Sequence, residues 1–320
     1  FELIGSKMEN MIKSIKISQL FGDKDIKWNL QKTNVLVGKN GMGKSTILQL
    51  IIATLSKKDT FKKSSLCESI TILTEQEDIF SMRNEAITDE IRKALLKALQ
   101  DNPKILEQIK NESDSKFNSE QFYENLNNPY NKSELTAFIS SSNDNDDKLN
   151  FEFISTVNLN ANSTQNLSLA NGEIQNILDL EIQTELQRLL VINNEVLNKQ
   201  LITALNIMFS ESKKDVSLND KFELEFKVNN EILNFPQLSS GERQVIYILL
   251  KVAIATKDNA LILMDEPEIS LHLSWQEKLL TQIREINPNS QIIIVTHSPA
   301  IVMNGWLDCF VDIQDIIVKG

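Results

Sequence analysis

Cysteine is nearly absent from this sequence. The two present, Cys67 and Cys309, lie far apart and match no metal-ligand spacing, so a disulfide framework is excluded and reduced, buried thiols of a cytoplasmic protein are expected. Positive charge is also short. Lys and Arg total 33 against 44 Asp and Glu, a net charge of −11, which rules out a general polyanion binder. Nucleic acid is left as a possible partner only at a local basic patch such as Lys57, Lys58, Lys62 and Lys63, a cluster that is more often a solvated loop. Long apolar runs are missing. The longest, Val245 to Ala255, is interrupted by Lys251 and too short to cross a bilayer, and no secretory signal opens the chain, so no membrane association is expected. Residues 1–7, ahead of Met8, are read as left over from expression and set aside.

What is present is an ordinary globular balance. Apolar residues make up 41% of 320, enough core for one large domain or two small ones. One stretch organises the rest: Gly38-Lys39-Asn40-Gly41-Met42-Gly43-Lys44-Ser45-Thr46, between the apolar run Val35 to Val37 and the run Ile47 to Ile52. Strand, glycine-rich turn and helix follow in that order. Glycine lets successive backbone N–H groups point inward at a phosphate, where a Cβ would block the approach. The helix opening near Lys44 adds its positive N-terminal end. Lys44 reaches the β- and γ-phosphates of a nucleotide, and the Ser45 hydroxyl is placed to ligate Mg²⁺.

Elsewhere the chain alternates strand and helix patterns. Ile12 to Leu20 and Ile26 to Leu30 read as a hairpin around Gly22-Asp23, and Ile70 to Thr74 as a further strand. From Met82 to Asn111 the spacing of Ile87, Ile91, Leu95 and Leu99 predicts helix. Ser140 to Asn150 and Asn158 to Asn171 read as polar loops around a strand over Leu149 to Val157. Glu173 to Phe209 reads as one long amphipathic helix or a pair, packed as a helical subdomain rather than a coiled coil. Phe222 to Val228 and Glu231 to Phe235 flank Asn229-Asn230 as a second hairpin.

The second half carries further chemistry. Leu261 to Met264 is apolar and ends in Asp265-Glu266-Pro267, which places two acids at the carboxyl end of a buried strand, where open α/β sheets bind ligands. Alone, the pair would equally open the following helix. Beside a phosphate loop, Asp265 reads as a Mg²⁺ ligand and Glu266 as the base for an attacking water. Gln291 to Thr296 repeats the pattern and ends in His297, read as a γ-phosphate sensor, whereas His272 reads as structural or interfacial. Leu238-Ser239-Ser240-Gly241-Glu242 precedes an apolar helix. Taken alone it is an N-cap; beside a complete cradle in the same chain it makes a second anion site that suits the nucleotide of another copy.

Together these segments resemble ABC-class P-loop ATPases. Gly38 to Ser45 is similar to Walker A, Leu238 to Glu242 to the signature, Ile262 to Glu266 to Walker B with its catalytic Glu, Glu268 to Leu271 to the D-loop, and Thr296-His297 to the switch histidine, in the family order. The wording Asp265-Glu-Pro-Glu-Ile-Ser-Leu-His272 resembles the RecF, SMC and OLD branch, above all the short ATPase subunits of prokaryotic anti-phage defence systems of the PtuA and AriA type. The resemblance covers Met8 to about Gln76 and Phe222 to Ile301. It implies an α/β head with a mixed central sheet plus antiparallel strands, built from lobes 8–80 and 221–320 around a mostly helical insertion, 81–220. It further implies Mg²⁺-dependent ATP hydrolysis by Lys44, Glu266 and His297. Gly38, Lys39, Asn40, Gly41, Gly43, Lys44, Ser45 and Thr46 would hold ATP. Ser45, Asp265 and Gln76, the last as the Q-loop residue or merely a loop polar residue, would stand around the metal. Ser239, Gly241 and Glu242 would act in trans within a head-to-tail homodimer or higher oligomer. Phe21 or Trp28 would stack on adenine unless both are core aromatics.

The output of such an ATPase has several readings. Regulation of a separate effector nuclease encoded nearby is favoured, because the stretch after His297 is too short for the TOPRIM nuclease of full OLD enzymes and the insertion too short for an SMC arm. A RecF/SMC-like DNA-repair clamp is the alternative. A transporter nucleotide-binding subunit and a non-hydrolysing sensor fit less well.

Overall fold

The structure, a computed structural model, describes residues 11–56, 66–76, 79–86, 97, 136–142, 149–155, 165–168, 174–219, 221–229, 231–233, 235–256 and 260–318. The lysine cluster at 57–63 and the helical spacing from Ile87 onward fall outside these residues, apart from residue 97. The first part holds β1 (Ile12–Leu20), β2 (Lys24–Asn29), β3 (Thr33–Val37), α1 (Lys44–Ser56), β4 (Ser69–Thr74), β5 (Ile79–Ala86) and β6 (Thr136–Ser142). Next come β7 (Phe151–Ser155), β8 (Asn166–Ser168), β9 (Ile174–Asn176), α2 (Ile177–Ile192), α3 (Glu195–Phe209), β10 (Asp215–Leu218), β11 (Leu224–Val228) and β12 (Glu231–Leu233). The last part holds α4 (Ser240–Ala255), β13 (Leu261–Asp265), α5 (Leu273–Ile286), β14 (Ile292–Thr296), α6 (Ala300–Met303), β15 (Phe310–Asp312), α7 (Ile313–Ile316) and β16 (Ile317–Val318).

A parallel sheet in the order β15-β3-β14-β13-β7 is the centre of the molecule. Strands β3, β13 and β14 are buried at every position, as continuous β-branched and leucine runs must be when both faces are covered. Because side chains alternate across a strand, each strand feeds two cores. Ile262, Met264, Ile292 and Ile294 face the core shared with α2, α3, α4 and α5. Leu261, Leu263, Ile293 and Val295 face the other, shared with α1 and with β1, β2 and β4 of an antiparallel sheet ordered β16-β2-β1-β4-β5-β6. This is the mixed α/β architecture expected of a P-loop head.

Several expectations are corrected. Met82 to Ala86 is strand, not the start of a helix: β5 pairs antiparallel with β4, and Phe80 and Met82 alternate into the core. The polar tract from Ser140 still belongs to β6 as far as Ser142, paired with β5. The described part of the span 81–220 packs with the head. It supplies β7, which lies parallel to β13 in the central sheet, and α2 and α3, whose leucines join the main core. The Glu173–Phe209 region is a pair of helices broken at Asn193, which takes a left-handed C-cap (φ 48°), while Asn194 caps α3 through Leu197 N. The hairpin of β11 and β12 forms as expected, with Asn229 at positive φ. Lys251, the charge inside the apolar α4, is buried and paired with Glu152 of β7 and Glu185 of α2. A buried ammonium needs such partners, so the network ties three elements together.

Candidate nucleotide site

The site follows from strand register. Val37 stands opposite Thr296, and Val295 opposite Asp265, so the carboxyl ends of β3, β14 and β13 finish at one edge of the sheet. The loop after β3, the two acids at the end of β13 and the histidine after β14 therefore meet there, although more than 200 residues separate the loop from the other two in sequence.

The loop from Gly38 to Gly43 turns into α1 with Gly43 at φ 98°, a conformation closed to most side chains. A Cβ on Gly43 would lie 2.7 Å from the Phe21 ring, so the loop is seated directly against that aromatic. Lys44 Nζ donates to the carbonyls of Gly38 (2.8 Å) and Lys39 (3.2 Å) and lies 3.1 Å from His297 Nδ1. Burial lowers the Lys44 pKa, against the pull of Glu266, Asp265 and Glu268. Ser45 Oγ donates to Asp265 Oδ1 at 2.9 Å. Burial in turn raises the Asp265 pKa, opposed by the Ser45 hydrogen bond. A desolvated carboxylate against a hydroxyl at the foot of a phosphate loop is a donor pair of the hard oxygen type that suits Mg²⁺.

Glu266 follows with φ 50°, a strained backbone for a residue with a side chain. Its carboxylate lies 2.7 Å from His297 Nε2. His297 Nδ1 also lies 3.1 Å from the Gly38 carbonyl oxygen, and Lys44 Nζ lies 3.3 Å from Nε2, so the ring meets a carboxylate, a carbonyl and an ammonium at once. His297 thus bridges acid and cation across the mouth of the loop.

The signature segment is held from behind. Ser239 caps α4 in a capping box, its Oγ accepting from Glu242 N (3.2 Å) and its own N–H donating to Glu242 Oε2 (2.8 Å). The other oxygen of Glu242 takes an ion pair from Lys214, which orients the box and which no sequence spacing announced. Ser239 itself is exposed, with its hydroxyl at the helix end. Gly241 is buried, and a Cβ there would lie 2.7 Å from the Ser270 carbonyl oxygen, so glycine is required by close approach. Gln244 Nε2 donates to Pro267 O at 3.2 Å, fastening α4 to the same segment.

The structure brings Gly38, Lys44, Ser45, Asp265, Glu266 and His297 into this arrangement. Lys39, Asn40 and Gly41 form the exposed rim of the loop, and Thr46 continues α1. Gln76 lies in an exposed turn after β4. Trp28 is buried in the core and unavailable to a ligand, whereas Phe21 is 43% exposed beside the loop. His272 precedes α5 and meets Trp275 edge-on at 5.7 Å, a structural contact. The cysteines are both free thiols. Among the described residues no helix is long and apolar enough to cross a membrane.

Known proteins are similar to this chain. The chain is 36% identical over 110 residues to the Septu protein PtuA of Bacillus thuringiensis, covering 30% of this chain and 26% of that protein. It is 30% identical over 95 residues to the retron Ec83 probable ATPase of Escherichia coli, covering 25% and 18%. It is 34% identical over 103 residues to the DNA double-strand break repair Rad50 ATPase of Methanocaldococcus jannaschii, covering 29% and 10%. The matches thus span about a quarter or less of those proteins' lengths. In fold the chain is similar to the Smc head bound to the C-terminal winged-helix domain of ScpA (TM-score 0.55, 14% identity, 92% of this chain and 91% of that one). It is similar also to an Smc head with an extended coiled coil bound to the C-terminal domain of ScpA derived from Pyrococcus furiosus (TM-score 0.50, 12% identity, 92% and 91%). A family model matches residues 33–304, well over half of the sequence, and the chain belongs to that family, described as AAA domain, putative AbiEii toxin, Type IV TA system.

Proposed function

We propose that this protein hydrolyses ATP at a composite site closed by a second copy of itself, and that ATP-driven association regulates a partner effector, an anti-phage nuclease. The carrying observation is His297, whose ring spans the Glu266 carboxylate and the Lys44 ammonium beside the loop. Lys44, Gly41, Gly43 and the start of α1 bind the triphosphate, and Phe21 offers its exposed face to the base. Ser45 and Asp265 would hold Mg²⁺, which supplies charge neutralisation on the phosphates. Glu266 accepts a proton from the attacking water as the bond from the γ-phosphorus to the bridging oxygen breaks, and His297 holds Glu266 in line. The exposed Ser239 at the start of α4 addresses the γ-phosphate of the partner copy, with Glu242 and Lys214 fixing it. The likeness to PtuA and the retron ATPase supports the defence setting, and the likeness to Rad50 supports the alternative of a duplex-DNA clamp.

Two variants test the chemistry. Lys44→Ala abolishes ATP binding and turnover. Glu266→Gln binds ATP but turns over about 100-fold to 10,000-fold more slowly, the contribution of a general base, and accumulates as an ATP-dependent dimer seen by light scattering. An unchanged mass with ATP would reject the composite site. Duplex binding whose log affinity falls with log salt would favour the clamp.

A further inference from the structure

One buried acid has no part in the chemistry above. Glu268, the first residue of the segment that resembles the D-loop, is 6% exposed beneath the tip of β14. Its Oε1 accepts from the Thr296 hydroxyl, from His297 N (3.0 Å) and from Ser298 N (3.3 Å). Its Oε2 is buried with no hydrogen-bond partner. Burial raises its pKa, opposed by the Thr296 hydroxyl, its own backbone N–H and the N–H groups of His297 and Ser298. A carboxylate left half satisfied in a dry place is costly, and a neutral residue would avoid that cost. What the carboxylate does is fix the backbone on which His297 stands. The His297 N–H is held by this oxygen, while the Ser298 N–H is shared between it and Thr296 Oγ1 at 2.9 Å, so the carboxylate and the Thr296 hydroxyl bonded to it together set the peptide planes of His297 and Ser298. Ser298 is secured again through its Oγ to Gln276 of α5, at 2.6 Å.

We propose that Glu268 is a positioning residue that sets the backbone at His297 so that its ring reaches Glu266 and Lys44 together. The proposal rests on the reading of His297 as part of the ATPase site. In this role Glu268 acts through the backbone it holds and not on the substrate. Loss of the brace lets the ring drift, and a displacement of about 1 Å in such a site costs up to about 100-fold in rate.

The test is a double-mutant cycle of Glu268→Ala and His297→Ala, with Glu268→Gln as the conservative variant, measured by ATPase kinetics and by binding of a non-hydrolysable ATP analogue. Glu268→Ala is expected to lower kcat about tenfold to 100-fold while analogue affinity changes less than about threefold. Glu268→Gln, whose carbonyl oxygen still accepts the same donors, is expected to recover most of the loss. In the His297→Ala background, Glu268→Ala is expected to have no further effect, because the ring it aims is gone. A kcat for Glu268→Ala within about twofold of the parent overturns the proposal, as does full additivity with His297→Ala. Equal losses in Glu268→Gln and Glu268→Ala would overturn it as well, by assigning the effect to the charge. Should His297→Ala alone leave turnover intact, the reading of the site fails instead, and the two failures are distinct.

Discussion

At the scale of single residues, the site keeps charges where they are expensive. Burial moves Lys44 down and Asp265 and Glu268 up, so each is held against its own preference by a neighbour. For Glu268 this has a sign that can be measured. Its folded pKa lies above the ordinary carboxylate value, so its ionised form destabilises the fold at and above the folded pKa, and this cost vanishes as pH falls to the ordinary value and below. Glu268→Gln is therefore expected to unfold at a higher temperature than the parent near about pH 8, with the gap narrowing toward about pH 5. Thermal melts across that range check it; a gap that widens in acid would show that Glu268 is stabilised as an anion. The identities of Lys44, Ser45, Asp265, Glu266 and His297 were legible in the sequence because each ends an apolar run that must be a buried strand, or opens a helix after one. Glu268 as a brace was not, because nothing in one dimension says that an acid three residues past β13 turns back beneath the tip of β14. Lys214 was hidden for the same reason, since its partner Glu242 is brought near by the packing of α3 and α4.

At the scale of elements, the buried strands were readable from apolar runs, the loop after β3 from its glycines between two such runs, and the hairpin of β11 and β12 from its asparagines. What escaped was membership. Phe151 to Ser155 reads as a strand, but only the register with Leu261 to Asp265 shows that it belongs to the central sheet. The segment Met82 to Ala86 was misread because its spacing suits either period over so short a run, and pairing with β4 decided for strand. Packing between elements makes its own prediction at Gly241. Gly241→Ala would set a Cβ 2.7 Å from the Ser270 carbonyl, which the backbone on one side must yield to. It is expected to cost about 1–3 kcal/mol in stability, the range for overpacking, and to lower ATPase activity while monomeric nucleotide binding persists. Denaturant titration and equilibrium binding separate the two; wild-type stability would mean that α4 is free to shift.

At the scale of the molecule, the chain presents the two unlike surfaces that the proposed composite site would need, a glycine-rich loop before α1 and a capped helix end with an exposed serine. If the halves meet only between copies, two dead chains can repair one another. Lys44→Ala keeps its helix end and loses its loop, while Ser239→Arg keeps its loop and loses its helix end. Each is expected to be inactive alone in ATPase assays. An equal mixture is expected to recover about a quarter of parental activity, since half the dimers are mixed and each has one intact site. No recovery on mixing would place both halves in one chain.

The short path from Glu266 to Ser270 gives the assembly one more property. Both ends of that path are at positive φ, one end faces the histidine of its own loop, and the other presses on Gly241 of its own capped helix. In the proposed dimer that helix belongs to the opposite nucleotide. In that proposed dimer a shift at one γ-phosphate would reach the other site along this five-residue path, so the reading links the two sites through Glu266 to Ser270.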